Sequence, residues 1–322
     1  MLGGYLEVAA LIAWLALLAR AGGRDAIRTT LHHLLEGAPR PVRWLGNSVE
    51  IFGAIGLVAV WLWISLSDVR PSVVDATVYW RLDLDHLYDD SLVNRVGAYL
   101  YSPVFAQIGE PFTFLRWTVW YAAWSGISLV LLAWMMRPAA ALLTLAFPLV
   151  GNALWSGNIH FLTAAAAVLA VSVPVAWAFP LLTKVTPGVA ILWHVGRREW
   201  RSLIMALGAT ALVSAISYVL APHLWAEWVA VLRNSSEAPP VNTLLPLSLA
   251  VRVILAAAIV MIGGIRGWAW TIPVAMVVAQ PVFWTAGLAV LVAVVPLSRR
   301  LAARVAPSDG EPAASSSAAR PG

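Results

Sequence analysis

Residues 45–66 read LGNSVEIFGAIGLVAVWLWISL, with Glu50 as the one charged side chain. A helix rises about 1.5 Å per residue, so about 20 apolar residues cross a hydrocarbon core of about 30 Å, and this run is long enough. Its two flanks differ in charge. Residues 20–43 carry five arginines against Asp25 and Glu36, whereas residues 68–116 carry seven acids against four bases. Cytoplasmic loops of membrane proteins are enriched in Lys and Arg, which puts the first flank inside and the second outside.

The rest of the chain has the same character. Of 322 residues, 61% are hydrophobic and 11% charged, against about 25% charged in a soluble domain. A water-exposed globule is excluded. The balance of 21 Lys and Arg against 16 Asp and Glu gives a net charge of +5, which in a soluble chain would suggest a nucleic-acid partner. Here the arginines flank apolar runs and report topology, so no nucleic acid is expected. With no cysteine in the chain, disulfides, thiolate metal sites and thiol catalysis are excluded.

Residues 4–19 form an apolar run with a basic segment after it and none before, which argues against a cleaved signal peptide. Residues 117–136 and 139–155 read as an inward and an outward pass, joined at the turn 156–158 to a return over 159–173. Residues 196–201 look cytoplasmic, so the run 175–195 must start and end inside. Lys184 and Pro187 near its middle break it into a hairpin of two short helices. Residues 202–220 run outward, 221–245 form a second external loop, and 246–262 run inward. Residues 268–297 contain Gln280-Pro281 and read as a second broken pair ahead of Arg299-Arg300. The expectation is an all-α polytopic membrane bundle of about 8 to 11 membrane helices, some short or broken. One transmembrane domain is expected over residues 1–304, with 68–116 as its main extracytoplasmic loop. Residues 305–322, rich in Ala, Ser, Pro and Gly, are expected to be a disordered cytoplasmic tail.

Few residues are suited to chemistry. Asp75 lies about nine residues beyond the end of the second span, among apolar neighbours, and suits the removal of a proton from a hydroxyl. Helix capping is the structural alternative. Asp83-Leu-Asp85 has a spacing that can hold a divalent cation. Its alternation with Leu82, Leu84 and Leu87 fits a segment lying along the membrane interface better. Lys184, the only lysine, sits inside an apolar run, where a charge is costly and points to an anionic partner. Gly157-Asn158-Ile159-His160 opens a span, so its polar side chains and helix N-terminal amides suit a phosphate or a sugar. The 18 tryptophans mark the interfacial belts.

Taken in order, Asp75-x-x-x-Tyr79, Tyr101-Ser102-Pro103, Gly157-Asn158-x-His160, and Lys184-x-Thr186-Pro187 closing on Arg197-Arg198-Glu199-Trp200 resemble glycosyltransferase family 87. That family lies within the multispanning GT-C superfamily, and the resemblance covers roughly residues 73–228. The turn reads Gly-Asn-x-His where the family usually has Gly-Gln-x-Asn. The resemblance implies a GT-C type bundle and an inverting transfer of a hexose, often mannose, from a polyprenyl-phosphate donor on the extracytoplasmic side. A lipid or glycan would serve as acceptor. Asp75 would be the general base, with Tyr79, Arg81, Tyr101, Asn158, His160 and Lys184 around donor and acceptor. No cofactor or metal is expected, with Asp83 and Asp85 as the alternative for a metal. The expected location is the plasma membrane. A lipid or solute transporter with Lys184 as counter-charge, and a non-catalytic membrane scaffold, are the competing readings.

Overall fold

The computed structural model describes residues 2–20, 26–67, 75–89, 91, 97–237, 247–282 and 284–298. The expected tail at 305–322 and parts of the loop 68–116 lie outside them. Every regular element among the described residues is helical, as an all-α polytopic membrane protein requires. In chain order the helices are α1 (Leu2–Arg20), α2 (Ala26–Leu34), α3 (Arg40–Asn47), α4 (Val49–Leu66), α5 (Asp75–Trp80), α6 (Pro103–Gly109), α7 (Trp117–Met136), α8 (Pro138–Leu145), α9 (Pro148–Trp155), α10 (His160–Ala170), α11 (Ala178–Thr183), α12 (Leu192–Gly196), α13 (Trp200–Leu220), α14 (Pro222–Glu237), α15 (Leu249–Arg266) and α16 (Thr271–Val278). Short 3-10 turns at Pro174–Trp177, Thr186–Ile191 and Thr285–Ala293 fill the gaps.

Five helices are long and apolar enough to cross a bilayer: α1, α4, α7, α13 and α15. Residues 139–155, expected as one pass, form instead the pair α8 and α9, bent by 96°. Pro148 opens α9 and lacks the N–H that would continue α8, while its ring disfavours the helical conformation in Phe147 before it. Counting this pair as one span gives six, among the described residues. The remaining apolar runs are too short. The 11 residues of α10 reach about 16 Å.

These short pieces form the core. Eight of the 11 residues of α10 and eight of the nine of Thr285–Ala293 are buried, and the two pack together between α7, α9 and α16. Close approach is set by small residues. Any Cβ on Gly264 of α15 would lie 2.5 Å from the carbonyl oxygen of Trp193 in α12, and one on Gly53 of α4 would lie 2.4 Å from the backbone nitrogen of Ala139 in α8. Membrane helices associate through such contacts, because lipid supplies no hydrophobic drive between them.

Both suspected breaks are present in more fragmented form. Residues 174–196 divide into four short helical pieces, and Lys184 stands between two of them in extended backbone. The second break follows α16, where Arg252 of α15, 2% exposed, donates to the carbonyl oxygens of Leu247 at 3.2 Å, Pro281 at 3.1 Å and Gln280. Carbonyls freed by a helix break inside a membrane need such donors. A buried chain also joins α12 to its neighbours: Trp177 Nε1–H donates to His194 Nε2 at 3.0 Å, and His194 Nδ1 meets Glu199 at 2.9 Å. The Trp is only a donor, so His194 carries its proton on Nδ1 and gives it to the carboxylate. Within residues 221–245, expected as a second external loop, residues 222–237 form the helix α14, which turns Leu224, Trp228 and Val231 inward at helical spacing.

Candidate active site

Asp75 is the first residue of α5, and the adjacent Ala76 N–H donates to Ser156 O at 3.0 Å, which docks the helix start on the turn after α9. The turn admits this contact because residue 157 is glycine. Its φ is +62°, and a Cβ would stand 2.5 Å from that of Ala76. Trp124 of α7 holds the same residue by donating to its carbonyl oxygen at 2.7 Å. With the turn fixed, the Asn158 Nδ2–H donates to Asp75 Oδ2 in a short hydrogen bond. An ionised carboxylate only accepts, so the amide orientation is determined and Asn158 Oδ1 faces away.

One helical turn past Asp75, the Tyr79 hydroxyl lies 2.7 Å from that of Tyr101. Tyr88 donates to Tyr101 O at 2.7 Å and Tyr99 to Ser102 O at 3.0 Å. Four of the chain's seven tyrosines thus close around one spot. Burial, followed by neighbouring tyrosines and the Asp75 charge, pushes the Tyr79 hydroxyl well up. Burial and then Asp75 do the same for Tyr101. Both remain neutral phenols that shape the site and donate hydrogen bonds.

Lys184 reaches this cluster from the break after α11. Its ammonium lies 6.0 Å from the centre of the Tyr101 ring, at the outer limit of a cation–π contact. It lies within electrostatic reach of Asp75 and of the buried His160 imidazole. The Ser102 N–H donates to Leu182 O at 3.2 Å and ties residues 101–102 to the end of α11.

The polar atoms left over are concentrated here. Among the described residues five buried side-chain atoms have no hydrogen-bond partner: Ser102 Oγ, Asn158 Oδ1, His160 Nδ1, Thr186 Oγ1 and Trp193 Nε1. The first four stand on the three segments that converge on Lys184. Buried polar groups are nearly always paired, so a cluster of unpaired ones marks a place for a polar ligand. Ser102 and Thr186 were not singled out as site residues from the sequence. Ser102 precedes Pro103 at the start of α6 and resembles an ordinary cap, yet its hydroxyl makes no capping bond.

Other sequence candidates lie elsewhere. Arg81 is exposed, with its guanidinium 5.7 Å from the ring centre of Trp80. Asp83 accepts the Asp85 N–H at 3.1 Å and caps a short turn, both acids are exposed, and Leu82 and Leu87 face inward. His86 pairs with Asp89 at 3.0 Å. The structure therefore gathers Asp75, Tyr79, Tyr101, Asn158, His160 and Lys184 at one place, and leaves Arg81, Asp83 and Asp85 outside it.

Residues 99–308, almost two thirds of the chain, match the family model described as glycosyltransferase family 87. The chain belongs to glycosyltransferase family 87. This makes it a membrane glycosyltransferase and sets aside the transporter reading. Neither the curated proteins nor the solved structures contain a match. The region that matches family 87 holds Tyr101, Asn158, His160 and Lys184, while Asp75 and Tyr79 precede it. Those two are placed at the site by their contacts alone.

Proposed function

We propose that this family 87 glycosyltransferase moves a hexose, with mannose the leading candidate, from a polyprenyl-phosphate donor to a lipid or glycan acceptor, inverting the anomeric centre. Asp75 takes the proton of the acceptor hydroxyl as that oxygen bonds to the anomeric carbon. The bond from the anomeric carbon to the phosphate oxygen breaks, its electron pair stays on that oxygen, and the lipid phosphate leaves. Lys184 stabilises the charge that develops there. A lipid monophosphate carries less charge than a nucleotide diphosphate, so a fixed cation serves without a metal. The arginine distribution supports an active site on the extracytoplasmic side of the plasma membrane, with the tail inside.

One observation carries this reading. A carboxylate, an amide, an imidazole and an ammonium drawn from three separate stretches of the chain converge, together with unpaired buried hydroxyls, just where two helices stop short. Asn158 positions Asp75 and leaves its oxygen for a hydroxyl donor. Ser102, Thr186 and Lys184 supply donors for an anion. The test is transfer of labelled mannose from polyprenyl-phosphate mannose by purified protein in sealed vesicles of single orientation. Transfer with external donor, lost in Asp75→Asn, is expected. Full transfer from a nucleotide sugar, with none from the lipid donor, would overturn the donor assignment.

A further inference from the structure

Helices α1 and α4 each carry a single acid, Glu7 and Glu50, in an otherwise apolar run. A charge in such a place is costly and calls for a partner. Both acids meet a backbone amide. The Leu149 N–H donates to Glu7 Oε1 at 3.0 Å, and the Ala139 N–H donates to Glu50 Oε2 at 3.2 Å. These amides occupy equivalent places. Pro138 opens α8 and Pro148 opens α9, so Ala139 and Leu149 are the second residues of their helices, and no carbonyl of the same helix can accept from them. The residues ahead of the prolines, Arg137 and Phe147, make no side-chain cap. A helix start packed among other helices must then find its acceptor elsewhere in the protein. Each carboxylate supplies from a neighbouring helix what a capping Ser or Asp supplies from within, and its charge lies at the positive end of the helix dipole.

The two capped helices differ in what lies beyond them. Helix α8 ends at the 96° bend. Helix α9, 8 residues and about 12 Å long, runs straight into the turn Ser156-Gly157-Asn158. The amides of that turn bond back to α9: Ser156 N–H donates to Asn152 O at 2.8 Å, Gly157 N–H to Leu154 O at 3.0 Å and Asn158 N–H to Ala153 O at 3.0 Å. The turn and the helix therefore move as one piece. Tyr121 and Trp124 of α7 hold this end by donating to the carbonyls of Trp155 and Gly157. A rod held at one end can still swing. Glu7 holds the other end and fixes its direction.

We propose that Glu7 is a positioning residue for glycosyl transfer: by capping α9 it sets where Asn158 stands and, through the Asn158 amide, where the Asp75 carboxylate points. Glu50 has the same chemistry on the far side of the bend and serves stability alone. Both acids precede residues 99–308, the region that matches family 87, so the site is aligned by a helix outside that region. The inference rests on the proposed site in that Asn158 takes part in transfer.

Hydrogen–deuterium exchange and steady-state transfer from polyprenyl-phosphate mannose, both on the purified full chain, test it. In Glu7→Leu the amides of residues 149–158, and that of Ala76, which donates to Ser156 O, are expected to exchange about tenfold faster. Turnover should fall about tenfold with the donor KM nearly unchanged. Glu7→Gln keeps an acceptor oxygen at the same place and should restore most of both. Glu50→Leu should speed exchange over residues 138–145 and leave the Ala76 amide and turnover as in the wild-type chain. In a double-mutant cycle Glu7→Leu should cost little further turnover once Asn158→Ala is present, because its effect passes through that side chain. Unchanged protection of Ala76 in Glu7→Leu, equal loss of turnover in Glu50→Leu, or full additivity with Asn158→Ala would overturn the proposal. Full activity of Asp75→Asn would overturn the assignment of the base alone, since exchange at Ala76 reports the hold of Glu7 on the turn without any transfer.

Discussion

Helices α13 and α10 are both apolar, and they do opposite things. The 21 residues of α13 carry the chain across the membrane with 11% of its spanning window buried. The 11 residues of α10 cannot cross a bilayer, yet eight of them are buried in protein. Lipid solvates the first and neighbouring helices solvate the second. A helix enclosed by protein is free of the length rule, because its open ends and any break find partners among its neighbours rather than in lipid. The candidate site is assembled from such short pieces, at the start of α10, the start of α5 and the break after α11. In this molecule the long helices set the frame and the interrupted ones present the polar groups.

If that division holds, substitutions in the interrupted segments should outweigh those on the long helices. Asp75→Asn is expected to lower transfer about 10²- to 10⁴-fold while leaving expression and donor binding nearly intact, because it removes the proton acceptor and keeps the shape. Steady-state kinetics with the lipid donor measure this, and full activity would send the search for the base elsewhere in the loop. Lys184→Met should cost about 10²- to 10³-fold and slow both donor binding and turnover. Ile204→Ala on the lipid face of α13, 68% exposed, should change neither.

Stability sharpens the same contrast. His194→Ala leaves the Trp177 indole N–H and one oxygen of Glu199 without their partner, at an expected cost of about 2–4 kcal/mol. Reversible unfolding in detergent reads it, and a loss no larger than that of Ile204→Ala would show that the buried chain is incidental.

The smallest effect belongs to the exposed turn of the external loop. The hydrogen bond and charge of Asp89, then the charge of Asp83, raise the His86 pKa above its ordinary 6.5. The proton is held more tightly in the folded loop, so this pair stabilises it fully below about pH 6.5, and the contribution fades as pH rises through the folded value. An NMR titration should find the raised midpoint, and Asp89→Asn should bring it back towards 6.5. Asp83→Asn and Asp85→Asn should be mild in the transfer assay. Their loss of activity with rescue by Mg²⁺ would place a metal where none is proposed.

The frame was legible because hydropathy measures length. The run 117–136 coincides with α7, and 202–220 and 45–66 fall within a few residues of α13 and α4. The breaks at Lys184 and near Pro281 were legible from a charge and a proline inside apolar runs. The bend at Pro148 carried the same signal, but the run around it also had the length of a plain span, and length prevailed. Helix α14 was missed because its tryptophans and polar residues suggested a loop, although Leu224, Trp228 and Val231 keep helical spacing. Asp75, Asn158 and Lys184 were legible as residues out of place in their surroundings. Ser102 and Thr186 were not, because a hydroxyl beside a proline has ordinary structural uses, and only the fold shows that these two lack a partner.

The central claim is that the donor phosphate meets the chain at the break before Thr186 while the sugar faces Asp75. A cryo-electron microscopy map of the protein with a non-transferable polyprenyl-phosphate sugar tests this directly. The account predicts phosphate density against the Lys184 ammonium and the Ser102 and Thr186 hydroxyls, with the anomeric carbon turned towards the Asp75 carboxylate. Density for the donor phosphate against Arg81 on the loop surface, with none at Lys184, would contradict it.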